Sequence, residues 1–560
     1  MLMQSLLLIR CKYFMNSLWG LSIFSFNYVE GLIMLIKFNP FLVYKCCIFY
    51  LVIPIIFFFM GWLRFGVGLI LSFLLVAASF CFLTKVKELV SDREKIVLNK
   101  EFYVSFLILF LFLLSTGNTG FVGSWGVDIP WRNAIYQDLI RQSWPVIYDY
   151  SQSMLCYYMT FWLVPAAITS CFHLNEFGSN VVLFLWMYVG LILIFFLLYD
   201  LLKPKEGLVV LITILFLFFS GINTFGMILK SFLLEPSLLI TNYPARGSWS
   251  FSDYSNVSGV DIVLIIRSTY LCISDVYNQF FAIAISTFLF LKFRNYPGFY
   301  AFVGLLSLPY SPIGFIGIFL IILLYFLINA FKNKQIKEKV CFFKNSISIP
   351  NILASLSIVP IFYFYFTMNI HASNLLSADL LDRGGYFTIP FDKVLDPTIF
   401  SILLLYYYFY FMTYVYLIYK NYKTECLFWI ILLCLLVFPF FKIGSTADFN
   451  FNASICPYLI LFFFIAKYLL NAIDTNHFGM KELVLVFCLS IAMLTPITQI
   501  TSALRAAYLN DVVCYRWSPW NSQLAQDSFR DKDIRAFRNF LAQNYQDELF
   551  YSFCAKRNTD

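Results

Sequence analysis

The sequence predicts an all-α polytopic membrane protein with about a dozen transmembrane helices. An external loop with an interfacial helix and a small external C-terminal tail complete the fold class. Three observations carry this. The 560-residue chain is 61% hydrophobic and only 12% charged, whereas a soluble domain carries roughly a quarter charged residues. Apolar runs long enough to cross a bilayer recur along most of its length. The Lys and Arg residues behind the net charge of +8 gather in short loops between those runs, as the positive-inside rule requires. This composition excludes a secreted disulfide scaffold, a disordered hub and nucleic acid as a partner. Membrane lipid is the partner it requires.

Residues 1–40 read either as a first membrane helix or as an over-extended start, with Met3, Met15 and Met34 as alternative initiators. Residues 41–497 form the polytopic membrane domain. Its apolar segments lie near 41–60, 66–84, 102–116, 154–172, 181–200, 207–234, 276–292, 299–330, 350–368, 398–419, 425–441, 456–470 and 482–497. Each is expected to be helical, because backbone in lipid must satisfy its own hydrogen bonds. The loop with Lys85, Lys87, Arg93, Lys95 and Lys100 is basic and therefore cytoplasmic, as is the loop from Lys332 to Lys344. The loop at 117–153, the segment at 369–397 and the tail at 498–560 then fall outside, with the tail packed on the membrane domain. Between 154 and 331 an odd number of crossings is required, yet simple counting yields an even one. The weak segments are 207–234, interrupted by Ser220-Gly221-Ile222-Asn223, and 299–330, interrupted by Pro309 and Pro312. Broken helices at membrane depth usually line a cavity.

The external loop holds the candidate chemistry. Asp128 precedes Pro130, and Trp131 to Gln142 reads as a short amphipathic helix lying in the interface. Asp128, Asp138 and Asp149 are the candidate catalytic carboxylates, suited to general-base work. The sequence leaves the cofactor open; if a divalent cation is used, Asp128 is the residue suited to hold it. Arg132 and Asn133 are candidate substrate-binding residues, with Arg132 able to grip phosphate. On local pattern alone, Asp128 as a helix cap and Arg132 as a lipid contact explain the same residues. Arg383 beside Gly384 and Gly385 offers a second phosphate ligand, and Asp448 with Asn452 stands at the start of a span.

Asp128, the helix 131–142 and the stretch from Tyr148-Asp149-Tyr150 to Pro165 follow an order that resembles the glycosyltransferase C superfamily. Over most of its length the chain is also similar to a group of bacterial multi-span proteins of unassigned function. That likeness rests on WRNAIYQDLIRQSWPVIYD, LFLFFSGINTFG, Asn278-Gln279, SPIG at 311–314, DFNFNASICPYLI and FYSFCAKR. Related sequences tend to have His, Asp and Arg where this chain has Arg132, Asn223 and Asn452. The resemblance implies a bacterial inner-membrane enzyme that moves a sugar from a polyprenyl-phosphate carrier to a glycan or lipid acceptor on the external side. A glycolipid or solute transporter, a flippase, and a surface-polysaccharide polymerase or ligase are the alternatives.

No GxxxxGK[ST], HExxH or GxGxxG occurs, so the usual nucleotide and zinc-protease signatures are absent. Fourteen cysteines sit mostly in apolar runs without a CxxC pair and read as small hydrophobes.

Overall fold

The structure, a computed structural model, describes residues 25–27, 35–90, 95–119, 121, 129–226, 255–257, 260–262, 264–332, 336–369, 387–389, 393–442, 448–475, 478–509, 522–524 and 540–557. It is 77% helical, so the all-α expectation holds. Strands β1 (Ser25–Asn27) and β2 (Leu35–Phe38) pair antiparallel, and β2 pairs with β3 (Ile96–Leu98). The described part of the N-terminal segment is therefore strand, stitched to the first basic loop. Helices α1 (Phe41–Trp62) and α2 (Phe65–Val90) form a tight hairpin. Next come α3 (Lys100–Ser115) and α4 (Ile129–Arg141), then strands β4 (Ile147–Tyr148) and β5 (Ser153–Leu155). Helices α5 (Leu163–Cys171), α6 (Glu176–Leu202) and α7 (Val209–Leu217) follow. A hairpin of β6 (Ser255–Val257) and β7 (Val260–Ile262) leads to α8 (Thr269–Asp275) and α9 (Tyr277–Phe293). The rest comprises α10 (Tyr300–Leu305), α11 (Pro312–Lys332), α12 (Ile336–Ser346), α13 (Ile349–Thr367), α14 (Pro397–Tyr422) and α15 (Cys426–Val437). It ends with α16 (Asp448–Asp474), α17 (Met480–Ala492), α18 (Leu494–Leu509) and strand β8 (Leu541–Gln543).

Among the described residues, eight helices are long and apolar enough to cross a membrane: α1, α2, α6, α11, α13, α14, α16 and the joined stretch Met480–Leu504. Thr160–Cys171, Tyr277–Phe293 and Cys426–Phe440 are shorter apolar helices. The protein is a multi-pass membrane protein, though the long spans are fewer than the dozen or so that apolar runs suggest. The last span also runs past residue 497, into α18, before the tail begins.

Ion pairs and sheets sort the helix ends into two levels. Tyr44 donates to Asp200, and Lys292 pairs with the same carboxylate. This joins the start of α1 to the ends of α6 and α9. Glu101 accepts from the Gly207 and Val209 amides, and Lys205 pairs with Asp474 at 3.0 Å. These contacts share the level of the basic loops. At the opposite level, β8 pairs antiparallel with β5. There the Lys556 amide donates to the Trp62 carbonyl at 2.9 Å, and the Arg64 amide to Cys554 at 2.8 Å. The last residues thus fold back on the membrane domain beside α4.

This sorting resolves the crossings between 154 and 331. Helix α5 is about 13 Å long, too short to cross. The Tyr136 hydroxyl of α4 contacts both Thr169, near its end, and the Ser179 carbonyl of α6. Ahead of α5, the Thr160 hydroxyl donates to the Pro309 carbonyl at 2.8 Å, and the neighbouring Tyr310 donates to Leu51, midway along α1. Residues 156–172 therefore dip in and return. The segment 299–330 also doubles back. Phe302 of α10 bonds Asn351 at the start of α13, the chain turns at Ser307–Ser311, and α11 runs back to Lys332. With neither adding a net crossing, α6, the ascending α7 segment and α9 remain, an odd number.

The α7 segment climbs as a broken helix. Thr495 donates to Asn223 at 3.3 Å, and Thr495 lies about 22 Å along its span from Met480. The break is seated on a π-turn, Tyr408–Met412 of α14. A π-turn loosens the regular carbonyl ladder, and here the Phe409 carbonyl accepts the Ile222 amide at 2.8 Å. Backbone meets backbone so closely that a Cβ on Gly221 would lie 2.7 Å from Tyr410 Cα.

Two outcomes follow from this fold. In a variant retaining only Cys171, membrane-impermeant maleimide should label right-side-out vesicles, and a Cys341-only variant should label only when inverted; both side chains are exposed. Labelling of both variants from the same side would refute the re-entrant reading of 156–172. Gly221→Val should destabilise by about 2 kcal/mol, read as a lower thermal midpoint in detergent.

Candidate functional site

The site is built on α4. Its sequence, IPWRNAIYQDLIR, is polar enough for a surface helix. Yet Arg132 is 3% exposed, Asn133 3%, Gln137 2% and Asp138 1%. The helix expected to present these side chains at the membrane surface instead turns them into the protein. Burying so many polar groups costs free energy unless each gains a partner or a task.

Asp138 anchors one face. Its Oδ2 accepts from the Tyr148 hydroxyl at 3.0 Å, from the Ser522 hydroxyl at 3.4 Å and from the Leu524 amide. Helix, hairpin and C-terminal segment meet on this one carboxylate. Burial pushes its pKa up to about 6, outweighing those hydrogen bonds, which favour the charged form. Asp149 is exposed in the turn between β4 and β5, where its carbonyl accepts from the Gln152 side chain at 2.6 Å. The structure therefore separates Asp149 from Asp138.

The other face begins at Arg132, about 120° round the helix from Asp138. Arg132 lies within electrostatic reach of the Tyr277 phenol, which accepts from Trp162 Nε1 at 3.0 Å. Beside Tyr277, Asn278 is fully buried and neither polar atom of its amide has a partner. Gln137 Oε1 is likewise buried and unpartnered. So is Asn118 Oδ1, although its amide nitrogen donates to Ile273 at 2.6 Å. Individually, these amides, the guanidinium and the phenol suit anions and hydroxyls better than metals. Among the described residues no cluster of three or more His, Cys, Asp or Glu is arranged to hold a metal ion.

Asp128 and Arg383 lie outside the described residues. In sequence Asp128 directly precedes α4. Asp448 is half-buried at the start of α16, a separate locality. There Asn450 donates to the Ile265 carbonyl at 3.1 Å, and Arg267 donates to Asn452 Oδ1 at 3.0 Å. Sequence reading passed over Gln137, Asn118 and Tyr277 as site residues. The Asn278-Gln279 pair inside an apolar run was the available signal, since amides at that depth need a reason.

No known protein family matches this chain, and neither a curated protein nor a solved structure does.

The buried carboxyl has a measurable consequence. Asp138 binds its proton more tightly in the folded state than at the usual carboxylate pKa near 3.8. Its contribution is fully present below that value and lost as pH rises through about 6, a fall of about 3 kcal/mol. Thermal midpoints between pH 4 and 7 should show this slope, and Asp138→Asn should flatten it.

Proposed function

We propose that this protein is a membrane glycosyltransferase that moves a sugar from a polyprenyl-phosphate carrier to a glycan or lipid acceptor at the external side of a bacterial inner membrane. The observation that carries the reading is the buried polar face of α4, with Arg132 within electrostatic reach of Tyr277. Charged and amide groups at such depth are costly and mark substrate paths. The resemblance in residue order around Asp128 supplies the reaction type.

In this reading the donor's polyprenyl chain stays in lipid and its phosphate sits at the level of α4. Arg132 neutralises the phosphate as it departs. Asp128 takes the proton from the acceptor hydroxyl, with a divalent cation as its alternative use. Asn133, Gln137 and Asn278 orient sugar hydroxyls, which amides can both donate to and accept from. Asp138 holds the C-terminal segment against the site. Positioning supplies much of the acceleration, because the phosphate is already a good leaving group.

A second reading, lipid or solute transport, is favoured by the broken helix at Ser220–Asn223 and the hairpin at Ser307–Ser311. Discontinuous helices near midmembrane mark binding sites in transporters. One experiment separates the two. Purified protein in proteoliposomes is given a panel of polyprenyl-phosphate donors with labelled sugars, with and without glycan and lipid acceptors. Acceptor-dependent release of free polyprenyl phosphate is expected, falling at least about 100-fold in Asp128→Asn. Protein-dependent movement of the labelled lipid across the bilayer without transfer would replace the transferase with a transporter.

A further inference from the structure

We infer that α12, the short helix between spans α11 and α13, lies on an anionic phospholipid surface. The inference is independent of the transferase reading. Residues 331–348 carry five lysines, Lys332, Lys334, Lys337, Lys339 and Lys344, against one acidic residue, Glu338. Among the described residues no carboxylate pairs with Lys332, Lys339 or Lys344. The same stretch exposes large apolar side chains. Val340 is 61% exposed, Phe343 46%, and Ile347, just beyond the helix, 70%.

The two kinds of residue are sorted around the helix. Val340 and Phe343, three residues apart, share one face. Lys339 and Lys344 stand on either side of that face, each about 70° from its centre. Glu338 and Asn345 fall on the opposite side. An apolar stripe flanked on both sides by cations is the pattern of a helix lying in the headgroup layer.

Packing fixes the depth. The rings of Phe342 and Phe343 each stand 5.2 Å from that of Phe326. Phe326 lies about 9 Å before the end of α11. Helix α12 therefore folds back beside the last turns of α11 instead of running out into water. At its other end Ser348 donates to the Gly298 carbonyl, and the Asn351 side chain donates to Ser346 at 2.8 Å and to Pro297 at 3.1 Å. Both helices that α12 joins are long and apolar enough to cross a membrane. The stripe is thus held where acyl chains begin, and the lysines beside it meet headgroup phosphates. Cations at that level favour anionic lipid over zwitterionic lipid.

The test uses the full-length protein in nanodiscs of mixed phosphatidylcholine and phosphatidylglycerol. Val340→Cys carries a bimane fluorophore, with Cys11, Cys171, Cys341 and Cys514 replaced by serine. In one preparation the phosphatidylcholine is brominated on its acyl chain, in the other the phosphatidylglycerol. Both lipids should quench, and phosphatidylglycerol should be about fivefold more effective per molecule, the enrichment expected from one lysine near the surface. The Lys339→Gln, Lys344→Gln double variant should lose that preference, and about 0.5 M KCl should remove it from the lysine-intact protein. Absence of quenching by either lipid overturns the inference and leaves the stripe to a protein partner. Equal quenching per molecule in the lysine-intact protein at low salt overturns the anionic preference. A preference that survives salt overturns the role of the lysines, even should the double variant fail to fold.

Discussion

A polar group below the headgroups of a bilayer has to find its partner inside the protein, because lipid offers none. Much of this architecture follows from that constraint. Each break in a helix is placed where another backbone supplies what the break removes. The Ile222 amide reaches the π-turn of α14, and the Thr269 amide reaches the Phe219 carbonyl at 3.0 Å. Around the re-entrant stretch, Tyr365 serves the backbone of Leu155 and Tyr157 at 3.2 and 3.1 Å. Tyrosine suits this work, since its ring packs like phenylalanine while its hydroxyl both donates and accepts. Tyr310 and Tyr414 do the same for the carbonyls of Leu51 and Ser220.

The same rule explains which parts of the fold were legible in the sequence. Long spans such as α1 and α6 announce themselves by apolar length, and the basic loops orient them. The breaks at Ser220–Asn223 and Pro309–Pro312 were visible as punctuation. Their geometry was not, because whether a broken helix crosses or doubles back depends on a contact far away in sequence. Thr160 with Pro309 and Tyr310 with Leu51 are such contacts. Periodicity also misled at α4. Trp131, Ile135 and Leu139 form the apolar line of an interfacial helix, but that line cannot report that the opposite face is covered too.

At the site, sequence reading found Arg132, Asn133 and Asp138 by residue type, and their shared helix is real. It could not see that Asp138 and Arg132 serve different faces, because the partners that divide them, Tyr148 and Leu524 against Tyr277, come from distant segments. The polar residues therefore split into a structural group, which fastens the C-terminal segment, and a group turned toward the spans. Arg267 and Asn452, also distant in sequence, form a third locality.

The Asp138 junction bears on how the protein is made. The carboxylate emerges from synthesis long before Leu524, its partner 386 residues later. At ordinary elongation speeds the interval is on the order of tens of seconds. For that time β5 lacks its neighbour β8, and the carboxyl lacks the Ser522 and Leu524 donors. This end of the domain is thus assembled last, after the final span has been made. A nascent chain that stalls or terminates early would carry every membrane span and still expose an unfinished sheet edge, the kind of surface that quality-control machinery recognises.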